Sequence, residues 1–202
     1  MPGLGIAVRI GIVSDIHCNV DGLKAVLDKM GEVDELLCAG DLMYGFRFSN
    51  EVVEELQARG ARTVQGNHER TILSPAGTRA REMPNVKQEN LDYIAALPRV
   101  MEAEVSGRKL MMLHGSPFEP FDEYLYPKAR TLRRFKELDA DIVILGHTHY
   151  PMLERVGNIL IVNPGSAGET ADLTYAVLDS ESLEVTFDSF PKSGLPNNSC
   201  AR

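Results

Sequence analysis

The sequence predicts an α/β fold in which two β-sheets pack face to face with helices outside. Three observations carry that prediction. Strand-like and helix-like segments alternate through the first third of the chain, the pattern of right-handed βαβ crossovers and a mostly parallel sheet. The second half instead carries two hairpin signals, Ser106-Gly107 and Gly157-Asn158, each between short apolar runs. Together these segments make roughly nine strands, more than one doubly wound sheet of this length usually holds.

Taken in order, residues 9–14 (RIGIVS) form the first strand, and Leu23, Val26, Leu27 and Met30 then recur at the spacing of one helix face. Asn19 or Asp21 can cap that helix and Gly31 can end it. Residues 35–38 are the second strand, and Val52, Val53 and Leu56 mark a helix opened by Ser49 and closed by Gly60. Residues 62–65 are the third strand. A helical stretch follows over 88–97, then hairpin strands 100–105 and 109–113, a helix over 128–138 and a buried strand over 142–145. Residues 153–156 and 159–162 pair across the second hairpin, and 174–178 with 183–187 complete the set.

The 202 residues, 44% of them hydrophobic, suffice for one large core, so a single domain is expected over 1–190. Residues 191–202 are polar and turn-rich and are expected to fray. No apolar run approaches the ~18 residues of a membrane span, and the N-terminus lacks a secretory pattern, so a cytoplasmic location is expected. Cys18, Cys38 and Cys200 form no CxxC pair, which argues against a disulfide framework or thiolate zinc site. Cys18 follows His17, but a small side chain in a tight loop explains it, and it is assigned no role. The formal net charge of -8 would repel a long nucleic-acid duplex. A small anionic substrate would need a local source of positive charge.

That source is suggested by where five apolar strands end. IGIVS leads to Asp15, LLCAG to Asp41, TVQG to Asn67, LMML to His114 and VILG to His147. In open α/β sheets ligands bind at the carboxyl ends of strands, where the loops converge. All five histidines, His17, His68, His114, His147 and His149, lie in these strand-end loops. A lone histidine is more often a hydrogen-bonded structural residue, but five gathered in this way point to a metal site. Imidazole, carboxylate and amide oxygen without thiolate suit Mn²⁺, Fe, Co²⁺, Ni²⁺ or Zn²⁺ better than Ca²⁺. Two divalent ions with two aspartates and a bridging hydroxide leave about one net positive charge, enough to attract a phosphate. Ions ~3.5–4 Å apart can bind phosphoryl oxygens and activate a bridging water for in-line attack.

SDIH at 14–17, GD at 40–41, GNHE at 66–69, HG at 114–115 and GHTH at 146–149, in this order, resemble the calcineurin-like metallophosphoesterase family. NPGS at 163–166 is similar to the compact prokaryotic phosphodiesterase branch. The resemblance covers residues 9–168 and implies a four-layer αββα sandwich with two mixed sheets. It implies that Asp15, His17 and His149 hold one metal, that Asn67, His114 and His147 hold the other, and that Asp41 bridges. His68 would be the acid facing the leaving group. The cofactors implied are two divalent ions, Mn²⁺ first, and the substrate a small phosphate ester, a nucleotide among the candidates. A homo-oligomer is compatible with the sequence.

Two departures from the family pattern bear on function. Cys18 stands where the common form has glycine after SDIH, which alters the loop and removes no ligand. The arginines that phosphoprotein phosphatases and diadenosine-tetraphosphatase relatives carry after GD and, in the phosphatases, before GNHE are not matched: the loop reads GDLMYGFRF, with Arg47 displaced, and Gln65 stands at the second position. Without that guanidinium pair, diesters are favoured over doubly charged monoesters. The expectation is therefore a binuclear phosphodiesterase. The alternatives are a phosphomonoesterase or dinucleoside-polyphosphate hydrolase, and a non-catalytic scaffold of the same fold such as a retromer subunit, which the retained His68 disfavours. Residues 116–127, a polar and proline-rich loop after His114, either overhang the site or simply close the surface.

Overall fold

A computed structural model describes residues 7–193. β1 (Arg9–Val13) leads into α1 (Val20–Met30), whose Leu23, Val26, Leu27 and Met30 are all buried and whose start is capped by Asn19, Oδ1 accepting from Gly22 N at 2.9 Å. β2 (Glu35–Cys38) and α2 (Asn50–Ala58) repeat the unit, with Ser49 as the cap. β3 is only Arg62–Thr63, shorter than the expected strand 62–65. Val64 N still donates to Cys38 O at 3.1 Å, but Gln65 N turns away to Pro98 O at 2.8 Å, and the ladder ends. Three helices follow: α3 (Asn67–Leu73), α4 (Thr78–Arg81) and α5 (Gln88–Ala96).

In the second half β4 (Val100–Val105) and β5 (Arg108–Leu113) form the expected antiparallel hairpin. The helix expected over 128–138 is a 3-10 helix, Arg130–Glu137, preceded by the loop 116–127. β6 (Ile142–Ile144), the hairpin β7 (Met152–Val156) with β8 (Ile159–Asn163), and then β9 (Asp172–Asp179) and β10 (Val185–Pro191) complete the chain. β10 runs to Pro191, and Lys192 N donates to Ala171 O at 2.8 Å. The expected fraying therefore does not begin at Pro191, and the rest of that tail, with Cys200, lies outside the described residues.

Two five-stranded sheets result, ordered β10-β9-β1-β2-β3 and β4-β5-β6-β8-β7. Both are mixed: β1, β2 and β3 run parallel, as do β5, β6 and β8, and antiparallel strands close the edges. Ile10, Ile12 and Leu37 of the first sheet meet Leu110, Met112, Ile142 and Ile144 of the second in one apolar layer. The outer face of the first sheet is covered by α1, α2 and α5 through Leu23, Val26, Val53, Leu56 and Ile94. The outer face of the second is covered by Leu125, Leu132 and Phe135, so the fourth layer is thin, a 3-10 helix and a loop. The αββα sandwich thus has unequal outer layers. No helix among the described residues is long and apolar enough to cross a membrane.

Candidate metal centre

The parallel strands of both sheets end at one rim, and backbone hydrogen bonds tie their loops together. Asp15 N donates to Gly40 O at 3.0 Å, Gly146 N to His114 O at 2.8 Å, and His147 N to Asp15 Oδ2 at 3.0 Å. Asp15, His17, Asp41, His147 and His149 all have positive φ, between 51° and 71°. For non-glycine residues this left-handed geometry costs on the order of 1–3 kcal/mol each, and it collects where a site demands a particular side-chain direction. Cys18 shares it at φ 63°, which accounts for the glycine usual at that place.

Three overlapping groups of donor atoms are brought within 4.8 Å of one another: Asp15, His17 and His149; His17, Asp41 and His68; and Asp41, His114 and His147. Asn67 joins the third, its Oδ1 3.1 Å from His114 Nε2. Every expected site residue is therefore at the rim, and His17 and Asp41 each belong to two of the groups. A metal ion fits these residues on two further grounds. Asp15 Oδ1 is fully buried with no hydrogen-bond partner of regular geometry, although His149, His17 and His114 Nε2 face it at 3.2, 3.7 and 4.0 Å. His17 Nδ1 donates to Met43 O at 3.0 Å, His114 Nδ1 to Ala39 O at 2.7 Å and His147 Nε2 to Asp122 O at 3.1 Å. Each ring then keeps its other nitrogen for the cluster, the usual arrangement around metal-binding histidines.

The electrostatics are those of a cation site. Burial tends to lower the His114 pKa, but Asp41 at 3.1 Å, together with Asp15, pushes it up to about 10. Burial works to raise Asp41, yet His114 and His68 hold it well below the usual carboxylate range. His17 and His147 are lowered, chiefly by burial. For His149 burial is outweighed by Asp15, and its pKa rises.

Several residues that shape the site were given no role from sequence. Glu69, wholly buried, accepts from the backbone N–H of Asp41 at 3.0 Å, Met43 at 2.9 Å and Gly66 at 2.7 Å, stapling two donor loops together. Burial and the nearby Asp41 push its carboxyl up to about 7. Its place at the third position of α3, reaching back to the Gly66 N–H, is one half of a capping box, the glycine having no side chain to supply the other, so the sequence signal was weak. Gly66 itself is required, because a Cβ there would overlap Asp41 Oδ1. Asn163 Nδ2 donates to Gly146 O at 2.6 Å, and Ser166 Oγ donates to Asp15 O at 2.8 Å, so the NPGS segment braces both halves of the rim.

Around the cleft, Tyr44 stacks on His68 with ring centroids 5.6 Å apart, and Arg47 lies over Tyr44 at 4.5 Å rather than reaching the cluster. Loop 116–127 does overhang the site: Tyr124 stacks on His147 at 3.9 Å, and Arg70 of α3 pairs with Asp122.

A family model described as the calcineurin-like phosphoesterase superfamily domain matches residues 8–183. An uncharacterised protein of Methanocaldococcus jannaschii is 28% identical, the match covering 87% of this chain and 84% of the relative. A protein of the same organism named a phosphodiesterase is 24% identical, with 88% and 96% covered. The crystal structure of a metallophosphoesterase from Sphaerobacter thermophilus is similar at a TM-score of 0.75 and 26% identity, over 90% of this chain and 88% of that one.

Proposed function

The chain belongs to the calcineurin-like phosphoesterase superfamily, and from that premise we propose that it is a binuclear metal-dependent hydrolase of phosphodiesters. The observation that carries this reading is two donor groups, Asp15 with His17 and His149 and Asp41 with His114 and His147, linked by the His17 and Asp41 of a third, with imidazole nitrogens already turned inward by backbone carbonyls. In it Asp15, His17 and His149 hold one ion, Asn67, His114 and His147 the other, and Asp41 both. Donors of this kind suit Mn²⁺ or a similar borderline ion. Such ions would withdraw charge from the phosphoryl oxygens and make water nucleophilic near neutral pH.

The protein's own contribution is orientation and proton supply. Gly45 N–H can only donate, and it donates to His68 Nδ1 at 2.5 Å, so in the neutral ring the proton sits on Nε2. That nitrogen lies 3.8 Å from Asp41 Oδ2, facing the cluster. A neutral ring is too weak an acid, so it is the imidazolium, formed when Nδ1 releases the Gly45 contact and takes a proton, that would protonate a departing alkoxide from Nε2 and return to the neutral ring. The diester preference is supported by what lines the cleft. Arg47 is engaged with Tyr44, and Gln65, where a phosphatase would carry arginine, spends Nε2 on Ile94 O at 2.9 Å.

Chelation and dialysis should abolish hydrolysis of bis(p-nitrophenyl) phosphate, Mn²⁺ should restore it, and p-nitrophenyl phosphate should be the poorer substrate. Full turnover by protein that elemental analysis finds metal-free would overturn the assignment. Metal uptake should also release protons. With its pKa raised to about 10, His114 is protonated at pH 7 in the metal-free protein, and a ligand must be neutral, so apparent affinity should climb as pH rises towards 10. Calorimetric titration of Mn²⁺ at pH 7 in two buffers of different ionisation enthalpy should report about one proton expelled from this position. Buffer-independent heats would contradict the assignment of His114.

A further inference from the structure

We propose that the cavity beside the metal centre is a nucleobase subsite, in which the ring of a nucleotide ester lies against Phe121 with Arg99 at the mouth. The inference rests on the phosphoesterase reading and narrows its substrate class. The cavity has a volume of about 310 Å³, at the lower end for a small-molecule pocket and enough for a planar ring. It adjoins the reaction zone directly. His114 lines it and takes part in the donor cluster, and Asp122, whose carbonyl receives His147 Nε2, lines it too. A substrate with its phosphoryl group over the donor cluster would therefore meet this recess across His114 and Asp122.

The walls decide what would enter. Val100, Met111, Leu113, Phe121 and Leu138 make them largely apolar. Phe121 and Val100 are 44% and 47% exposed, so their apolar surface is open to a ligand. Two guanidinium groups reach the same space, and they are not equivalent. Arg70 is neutralised by Asp122. Arg99 has no hydrogen bond or ion pair among the described residues and lies 5.6 Å from the centroid of Phe121. A planar cation beside an aromatic face, above apolar walls, matches a flat ring that carries acceptor atoms at its edge. An alkyl group would leave Arg99 unused. A second phosphate would be desolvated against Val100, Met111 and Leu113 with one uncompensated cation to meet it.

The test compares two ligands with the same phosphate, adenosine 5′-monophosphate and ribose 5-phosphate, titrated calorimetrically into the Mn²⁺-loaded protein. The nucleotide should bind about tenfold or more tightly, the scale of one base stacked in a protein site. Arg99→Ala should reduce that preference. So should Val100→Trp, which fills the recess from an exposed position on the edge strand β4; the readout is the ratio of the two affinities, in which any loss of phosphate attraction common to both ligands cancels. Equal binding of the two ligands, in protein that still hydrolyses bis(p-nitrophenyl) phosphate, would overturn the subsite and leave the enzyme assignment standing. A nucleotide preference that survives both substitutions would also overturn it, locating the ring elsewhere. Failure of both ligands to bind, together with absent turnover, would remove the phosphoesterase reading and the subsite with it.

Discussion

Asp41→Ala should leave the protein with at most one tightly held ion and almost no turnover. Its carboxylate belongs to two donor groups, and Oδ2 lies 3.1 Å from His114 Nε2 and 3.8 Å from His68 Nε2. Removing a partner one shell further out commonly costs ~10–100-fold in metal affinity, so a residue serving two ions should exceed the upper end of that range. His149→Ala should instead weaken one position and leave the other close to native. Elemental analysis of purified variants distinguishes the cases, and two tightly bound ions in the Asp41 variant would exclude a bridge. The substitution also frees the His68 backbone N–H that Asp41 Oδ1 accepts at 2.9 Å. Circular dichroism should accompany the metal count, to separate lost ligation from a loosened loop.

His68→Ala should retain both ions and the fold while losing ~10²–10⁴ in kcat, the usual contribution of a positioned general acid. The Gly45 contact is made by a backbone N–H to a ring nitrogen that does not face the cluster, so its loss should disturb the loop only slightly. Because His68 also lies in a donor group with His17 and Asp41, the metal count of the variant is part of the test, and loss of an ion would make His68 a ligand and not the proton donor. An alkyl ester, whose leaving group needs a proton, should suffer more than an activated aryl ester. Equal losses on both substrates, or none, would refute the proton-donor role while leaving the metal assignment intact.

The strand ends were legible because each is an apolar run stopped abruptly by a donor side chain, and the two hairpins because Ser106-Gly107 and Gly157-Asn158 have turn chemistry. The fourth layer was legible as helical but not as to the kind of helix, for a physical reason. Leu132 and Phe135 are three residues apart, a spacing that suits a 3-10 helix as well as an α-helix, and the segment is too short for the periods to diverge. α3 was missed because seven residues hold too few turns to display a periodicity. Glu69, Asn163 and Ser166 were quoted within motifs but given no role, since their partners are backbone amides and carbonyls whose positions depend on the path of other loops. Arg70 and Arg99 carried even less signal. Each reaches the cavity only because α3, the start of β4 and the loop after His114 converge there.

The donors also hang from different sheets: Asp15 and Asp41 follow strands of the first, His114 and His147 strands of the second. Ions held between them would fasten the sandwich along one edge, a rivet through two plates otherwise joined by the greasy contact of Ile12 with Met112 and their neighbours. Because only the folded chain presents both halves of such a site, occupancy would add about 2.7 kcal/mol of stability per ion at a hundredfold excess over its Kd. Substitutions in the apolar layer and substitutions at the rim would then cease to be energetically independent. A change that lets the plates slide would be felt as weaker metal binding, and loss of an ion as a softer core.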